Sequence, residues 1–176
     1  VPVLSVTFGR VQDFAVHDIN NMGAAMMPAA ASTLLRYFSA TGTSPQDFDA
    51  IFTGDLGEVG TALLHEQMAK EGLPLDNHKD CGCLLYDTNS QNVQAGGSGA
   101  GCSAAVLCGK ILPMLAAGQL RRVLFLATGA LMSQTTFLQG ESIPGIATVS
   151  SWEVRYELRL GVCCGWGDLC CRAAFY

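Results

Sequence analysis

GGSGAGCSAAVLCGKILPMLAAGQLRRVLFLATGALMS, residues 96 to 133, holds the pattern that decides the fold. A glycine-rich loop, Gly96 to Gly101, delivers the chain to Cys102. From Cys102 to Ala117 the residues Ala105, Cys108, Leu112 and Leu115 recur at helical spacing. Gly118 ends that run. Val123 to Thr128 follows, nearly all apolar and too short for a helix between Gly118 and Gly129, which predicts a strand covered on both faces. A helix feeding a doubly covered strand is one unit of an α/β layered fold. The same stretch leaves open what Cys102 does: nucleophile, packing residue or wall of a pocket.

Upstream, the alternation continues. Val1 to Val16 reads as strand around Val3, Leu4, Val6 and Phe8, broken at Gly9-Arg10. Met22 to Thr41 repeats Met22, Ala25, Met26, Ala29, Thr33, Leu34, Tyr37 and Phe38 at helical spacing, with Gly42 as its stop and Pro28 as a kink or alternative start. Ser44-Pro45-Gln46-Asp47 pairs a capping serine with a proline at the first helical position. Asp49 to Gly54 is a brief strand, and Leu56 to Glu71 a second helix closed by Gly72. Cys81 to Tyr86 reads as a strand and Thr88 to Gln94 as a loop; Ile146 to Ser150 is the last strand. The expected architecture is a mixed five-stranded sheet with helices, in a domain spanning residues 1–150. Internal repeats are absent.

Composition narrows the function. With 176 residues, 49% hydrophobic and only 14% charged, the chain can bury a core. A formal net charge of −5, with no basic cluster longer than Arg121-Arg122, offers nucleic acid no attractive field. The longest apolar candidate, Ala100 to Ala117, is interrupted by Lys110 and falls short of a bilayer span. The first residues, VPVLSVTFGR, lack the basic start and apolar core of a secretion signal, so a soluble protein with its eight cysteines reduced is expected. The last 25 residues depart from the rest: they contain both tryptophans and half of the cysteines. Residues 151–176 therefore read as an atypical, frame-shifted or read-through end. As a metal site they are weaker, because Cys163-Cys164 and Cys170-Cys171 are adjacent rather than spaced by two residues.

Candidate chemistry clusters at a few turns. Cys102 opens a helix, where the dipole favours a thiolate, but the three histidines His17, His65 and His78 lie in no catalytic motif and read as surface residues. Gly54-Asp55-Leu56-Gly57 stands at a strand-to-helix junction, the edge where α/β sheets bind ligands; Asp55 either touches a ligand or caps the helix. Asp18 to Asn21 has the same two readings. Cys81-Gly82-Cys83 would put both thiols on one face of a strand, with no histidine to complete a metal set. The Gly96 to Gly101 loop lacks the Lys-Ser/Thr ending of a phosphate cradle.

Six blocks taken together, DINNMGAAMMPAA (18–30), DAIFTGDLGEVG (49–60), DCGCLLYD (80–87), GGSGAGCSAAVLCGKILP (96–113), RRVLFLATGALMS (121–133) and ESIPGIA (141–147), strongly resemble the C-terminal half of the stage V sporulation protein AD family. The likeness covers about 150 residues and stops near Val149. It implies one half of a thiolase-like fold whose two halves pack face to face. It also implies a non-catalytic protein of spore formers that binds dipicolinic acid, with or without calcium, beside membrane partners of the same operon, at the cytoplasmic face of the forespore membrane. Catalytic relatives of this fold use a histidine and an asparagine where this chain has Gly54-Asp55-Leu56-Gly57 and Ser98 to Cys102. A pocket lacking both can hold a flat dianion without proton transfer. The expected ligand-binding residues are Gly54, Asp55, Gly97, Ser98, Gly99, Cys102, Ser103 and Thr128, with Asp55 acting through calcium or water. No catalytic residue, resident cofactor or metal is expected. A chain carrying one half alone is expected to self-associate or to pair with a first half.

Overall fold

A computed structural model describes residues 2–96, 99 and 101–154. The elements in chain order are β1 (Val3–Phe8), α1 (Met22–Thr41), a 3-10 turn (Pro45–Asp47), β2 (Ala50–Thr53), α2 (Gly57–Lys70), β3 (His78–Asp80) and α3 (Cys81–Leu85). They continue with α4 (Cys102–Val106), a π turn (Leu107–Ile111), α5 (Leu112–Ala116), β4 (Arg122–Ala130), α6 (Gln134–Leu138) and β5 (Gly145–Glu153).

The five strands form one mixed sheet in the order β1-β5-β4-β2-β3. β3, β2 and β4 are mutually parallel, while β5 runs antiparallel to both β4 and β1. Period-two alternation assigns the faces. Ile51, Leu124, Leu126, Ala147 and Val149 turn to a core shared with Leu34, Tyr37 and Phe38 of α1 and Leu64 and Met68 of α2. Ala50, Phe52, Val123 and Phe125 turn to the opposite core, packed with Cys81, Cys102, Val106, Ile111 and Leu115. The central strands are thus covered on both sides, as their continuous apolar runs require.

Local chemistry explains the helix limits. Asn21 caps α1 through the Ala24 amide, 3.3 Å away, and Gly42 closes it in the left-handed conformation at φ 64°. The helix runs through Pro28. Ser44 and Asp47 form the capping box that the Ser-Pro pair signals. The predicted helix Cys102 to Ala117 is present as three segments, because Pro113 has no amide to donate four residues back and the Leu112 amide bonds Leu107 through a π turn.

Three parts of the chain differ from the sequence reading. The strand expected over Val1 to Val16 is present only as Val3–Phe8, beyond which Gln12 makes a single bridge to Gly145. Cys81 to Leu85 is a helix; the strand is His78–Asp80. The physical reason is Asp80, whose carboxylate accepts from the Gly82 and Cys83 amides at 2.9 and 3.3 Å and so starts a helix where hydropathy alone suggested a strand. At the other end, the last strand extends beyond the expected Ile146 to Ser150: β5 continues through Ser151 and Trp152 to Glu153, pairing Trp152 with Val123 and Val3. The cysteine-rich stretch from residue 155 onward lies outside the described residues. Helix α6 answers to no sequence expectation.

α1 and α2 cross where both lack side chains. A Cβ on Gly60 would meet Gly23 Cα at 2.9 Å, and one on Gly23 would collide with the Leu56 carbonyl. That close crossing brings the first turns of both helices to the same edge of the sheet.

Candidate functional site

A cleft of about 880 Å³ opens beyond the carboxyl ends of β2 and β4. Asn20, Asn21, Met22, Gly23 and Met26 form one wall from the start of α1. Asp55, Leu56, Gly57 and Val59 follow β2; Gln94, Ala95, Gly96 and Gly99 come from the glycine loop; Ser103 from α4; and Thr128 to Ala130 from β4. An apolar cleft with a few convergent polar groups is the form small-molecule sites take.

Three interactions hold these walls together. The Asp55 carboxylate accepts from the Gly99 amide at 2.8 Å, fastening the glycine loop to the end of β2. The Thr128 hydroxyl accepts from the Asp55 amide at 3.1 Å, tying β4 to the same turn. Gly57, at φ 65°, lets the chain pass beneath Ala95, whose carbonyl accepts from the Glu58 amide at 2.9 Å.

Below the cleft sits a buried carboxylate that the sequence reading passed over. Asp80, 2% exposed, accepts from the Leu56 and Gly57 amides at 2.9 Å each, from Gly82 and Cys83, and from the Thr53 hydroxyl at 2.6 Å. Five donors converge on its two oxygens. Of the two readings of Asp55, ligand contact or cap, the capping of α2 therefore belongs instead to Asp80, twenty-odd residues on. Because Asp80 and Ala95 take the Leu56, Gly57 and Glu58 amides, the start of α2 does not present these donors to an anion in the cleft. The helix starts that face it are those of α1 and α4.

Of the three histidines, His17 and His65 are exposed as expected, while His78 is partly buried. His78 Nε2 lies 2.8 Å from the Thr53 hydroxyl and its Nδ1 lies 2.9 Å from His65 Nε2, with the rings edge to face at 5.0 Å. Burial, reinforced by the neighbouring His65, pushes the His78 pKa down to about 3. His17 stays exposed, bonded to the Gly140 carbonyl at 3.1 Å. None of the three lines the cleft.

The chain shares its pattern with proteins already grouped by sequence. The family model described as stage V sporulation protein AD matches residues 1–153. The chain belongs to the stage V sporulation protein AD family. It is 43% identical over 148 residues to "Stage V sporulation protein AD" of Bacillus subtilis (strain 168), covering 84% of this chain and 44% of that protein. The chain thus spans less than half the length of that relative. Among solved structures it is similar to "AbyA1 - tetronic acid condensing enzyme", at 15% identity and a TM-score of 0.47, over 84% of this chain and 47% of that one.

Within this family member, four of the residues expected at the site come together on the cleft walls: Asp55, Gly99, Ser103 and Thr128. Gly54 lies just behind them, where a Cβ would press on Thr128 at 2.9 Å. Cys102 is 1% exposed and belongs to the core beneath the cleft, not to its lining, because the first turn of α4 presents Ser103 outward and Cys102 toward the sheet. Gly97 and Ser98 lie outside the described residues. Of the stretch Asp18 to Asn21, read as either ligand contact or cap, Asn20 and Asn21 line the cleft and Asn21 also caps α1. Met22, Met26, Val59, Gln94 and Ala130 were not anticipated as lining.

The thiols of Cys81 and Cys83 are poorly suited to attack a substrate. Burial, together with the negative charge of Asp80, pushes Cys81 up to about 12 and Cys83 up to about 11. Among the described residues, no group of three or more His, Cys, Asp or Glu could hold a metal ion.

Proposed function

We propose that this chain supplies one side of a non-catalytic site for dipicolinic acid in a sporulation protein that assists the movement of this acid into the forming spore. The observation that supports this reading most directly is the cleft itself: small residues and polar groups at two helix starts, with Cys81 and Cys102 buried and no histidine on its lining. Such a surface can seat a flat aromatic dianion by hydrogen bonding from Asn20, Asn21, Ser103 and Thr128, and its described lining carries neither a thiol nor an imidazole. Asp55 would repel a bare carboxylate. With a single carboxylate in the cleft lining, a calcium ion would enter with the ligand, coordinated chiefly by dipicolinate, with Asp55 adding one oxygen.

The second half of the site would come from a cognate first half of the longer protein. β1 favours that arrangement: Val3, Leu4, Val6 and Phe8 are 39 to 75% exposed, an apolar edge that a packed partner would cover. Among the described residues no helix is long and apolar enough to cross a membrane, so contact with membrane proteins of the same operon would be peripheral, at the cytoplasmic face of the forespore membrane.

Calorimetric titration of dipicolinic acid, with and without calcium, into this chain joined to a cognate first half tests the reading. Binding that disappears on Val59→Trp, which fills the cleft from an exposed position, supports it. Binding indifferent to that change, or turnover of an acyl thioester by Cys102, overturns it.

A further inference from the structure

His65 and His78 stand apart from the cleft, and their pairing has a chemistry of its own. Thr53 decides the tautomer. Its hydroxyl has one proton, and the Asp80 oxygen 2.6 Å away can only accept it. Toward His78 Nε2, at 2.8 Å, the same oxygen must then accept, so Nε2 carries the ring proton. Neutral His78 is left with its lone pair on Nδ1, turned outward to His65 Nε2 at 2.9 Å.

This is the arrangement of a metal-ligating imidazole: one ring nitrogen anchored through N–H to a chain that ends in a buried carboxylate, the other bare and facing a second imidazole. Here a hydroxyl is inserted between ring and carboxylate. We propose that His65 and His78 form a two-imidazole site for a divalent first-row transition ion of the kind imidazole binds, such as Ni(II), Cu(II) or Zn(II). A metal–nitrogen bond of about 2.05 Å is shorter than the 2.9 Å between the two nitrogens, so an ion on the His78 Nδ1 lone pair comes within reach of both rings after a small turn of His65.

The ion sits off the line joining the two nitrogens, so His65 must swing and shift its proton to Nδ1. It is exposed on α2 and can do both, while His78 stays held by Thr53. Water fills the remaining positions, since no third protein ligand is grouped there among the described residues. Such an ion would pin α2 to β3, the strand that delivers Asp80 to the cleft floor.

Titration of nickel(II) chloride into the full chain, in a non-coordinating buffer, tests this. The expected result is one ion per chain, binding at least tenfold weaker in His65→Ala, with paramagnetic broadening of the His65 and His78 ring resonances ahead of those of His17. The absence of nickel binding overturns the proposal. So does binding that His65→Ala leaves unchanged, with broadening at the cysteines of residues 155–176 instead. Dipicolinate is not present in this experiment, so its outcome is independent of the cleft's ligand.

Discussion

Replacing Asp80 by alanine should unfold the edge of the sheet that builds the cleft. The carboxylate receives four backbone amides at 2.9, 2.9, 2.9 and 3.3 Å and one hydroxyl at 2.6 Å, in a position 2% exposed. Each buried donor left without its acceptor costs about 1–3 kcal/mol. Four amides would sum to about 4–12 kcal/mol; water entering from the cleft relieves part of this, so about 4 kcal/mol is expected. In a domain of this size that lowers Tm by roughly 8–16 °C, a large share of total stability. Asp80→Asn should be nearly as damaging. Its NH2 group must face either three backbone amides or the Leu56 amide and Thr53, and in the second case Thr53 must reverse its hydroxyl and force His78 into the other tautomer. Scanning calorimetry of both variants reads the effect, and an NMR measurement of the His78 ring tautomer reads the reversal. A Tm within about 3 °C of the parent for Asp80→Ala, near 1 kcal/mol, would refute the reasoning, since it would mean the five contacts are replaced at no cost.

Further outcomes follow from the same geometry. His78 has its folded pKa depressed to about 3, below the ordinary value near 6.5, so between those limits the unfolded chain binds the extra proton. Stability should fall as pH drops from 6.5, by up to about 1.4 kcal/mol per unit, and His78→Gln should flatten that slope in denaturant titrations between pH 5 and 7. Gly23→Ala should separate α1 from α2, because its methyl would strike the Leu56 carbonyl and press on Gly60 N at 3.0 Å; a loss above about 2 kcal/mol in urea titration is expected. Light scattering of the chain alone should show association that Phe8→Glu weakens, since Phe8 is 75% exposed on the β1 edge.

The layered fold was readable because its signal is local. Val123 to Leu126 is apolar without a break, and α1 repeats its apolar residues at helical spacing from Met22 to Phe38, so the periodicity names each element before any contact is known. Cys81 to Leu85 misled for a physical reason. Five small or apolar residues are equally compatible with a strand and a helix, and the choice fell to a side chain before them, Asp80, which hydropathy counts merely as a boundary. α6 escaped for a related reason, because Gln134 to Leu138 has no buried residue and is set by its Ser133–Thr136 capping box.

The site was legible only where it coincides with a turn. Asp55, Gly99, Ser103 and Thr128 are found at strand ends and helix starts, which the sheet's connectivity brings to one edge whatever their side chains do. Inward or outward orientation is a different matter. Cys102 and Ser103 are neighbours in sequence, yet α4 turns one into the core and the other onto the cleft, a distinction of about 100° that no glycine-rich motif encodes. Nor could sequence show that the α2 amides were already taken. Leu56 and Gly57 reach a carboxylate twenty-odd residues away, and this long-range contact leaves α1 and α4 as the helix starts that face the cleft. A ligand in this cleft is therefore expected to lie nearer Asn20, Asn21 and Ser103 than the glycine of the β2 turn that first drew notice, with Asp55 occupied in holding the loop at Gly99.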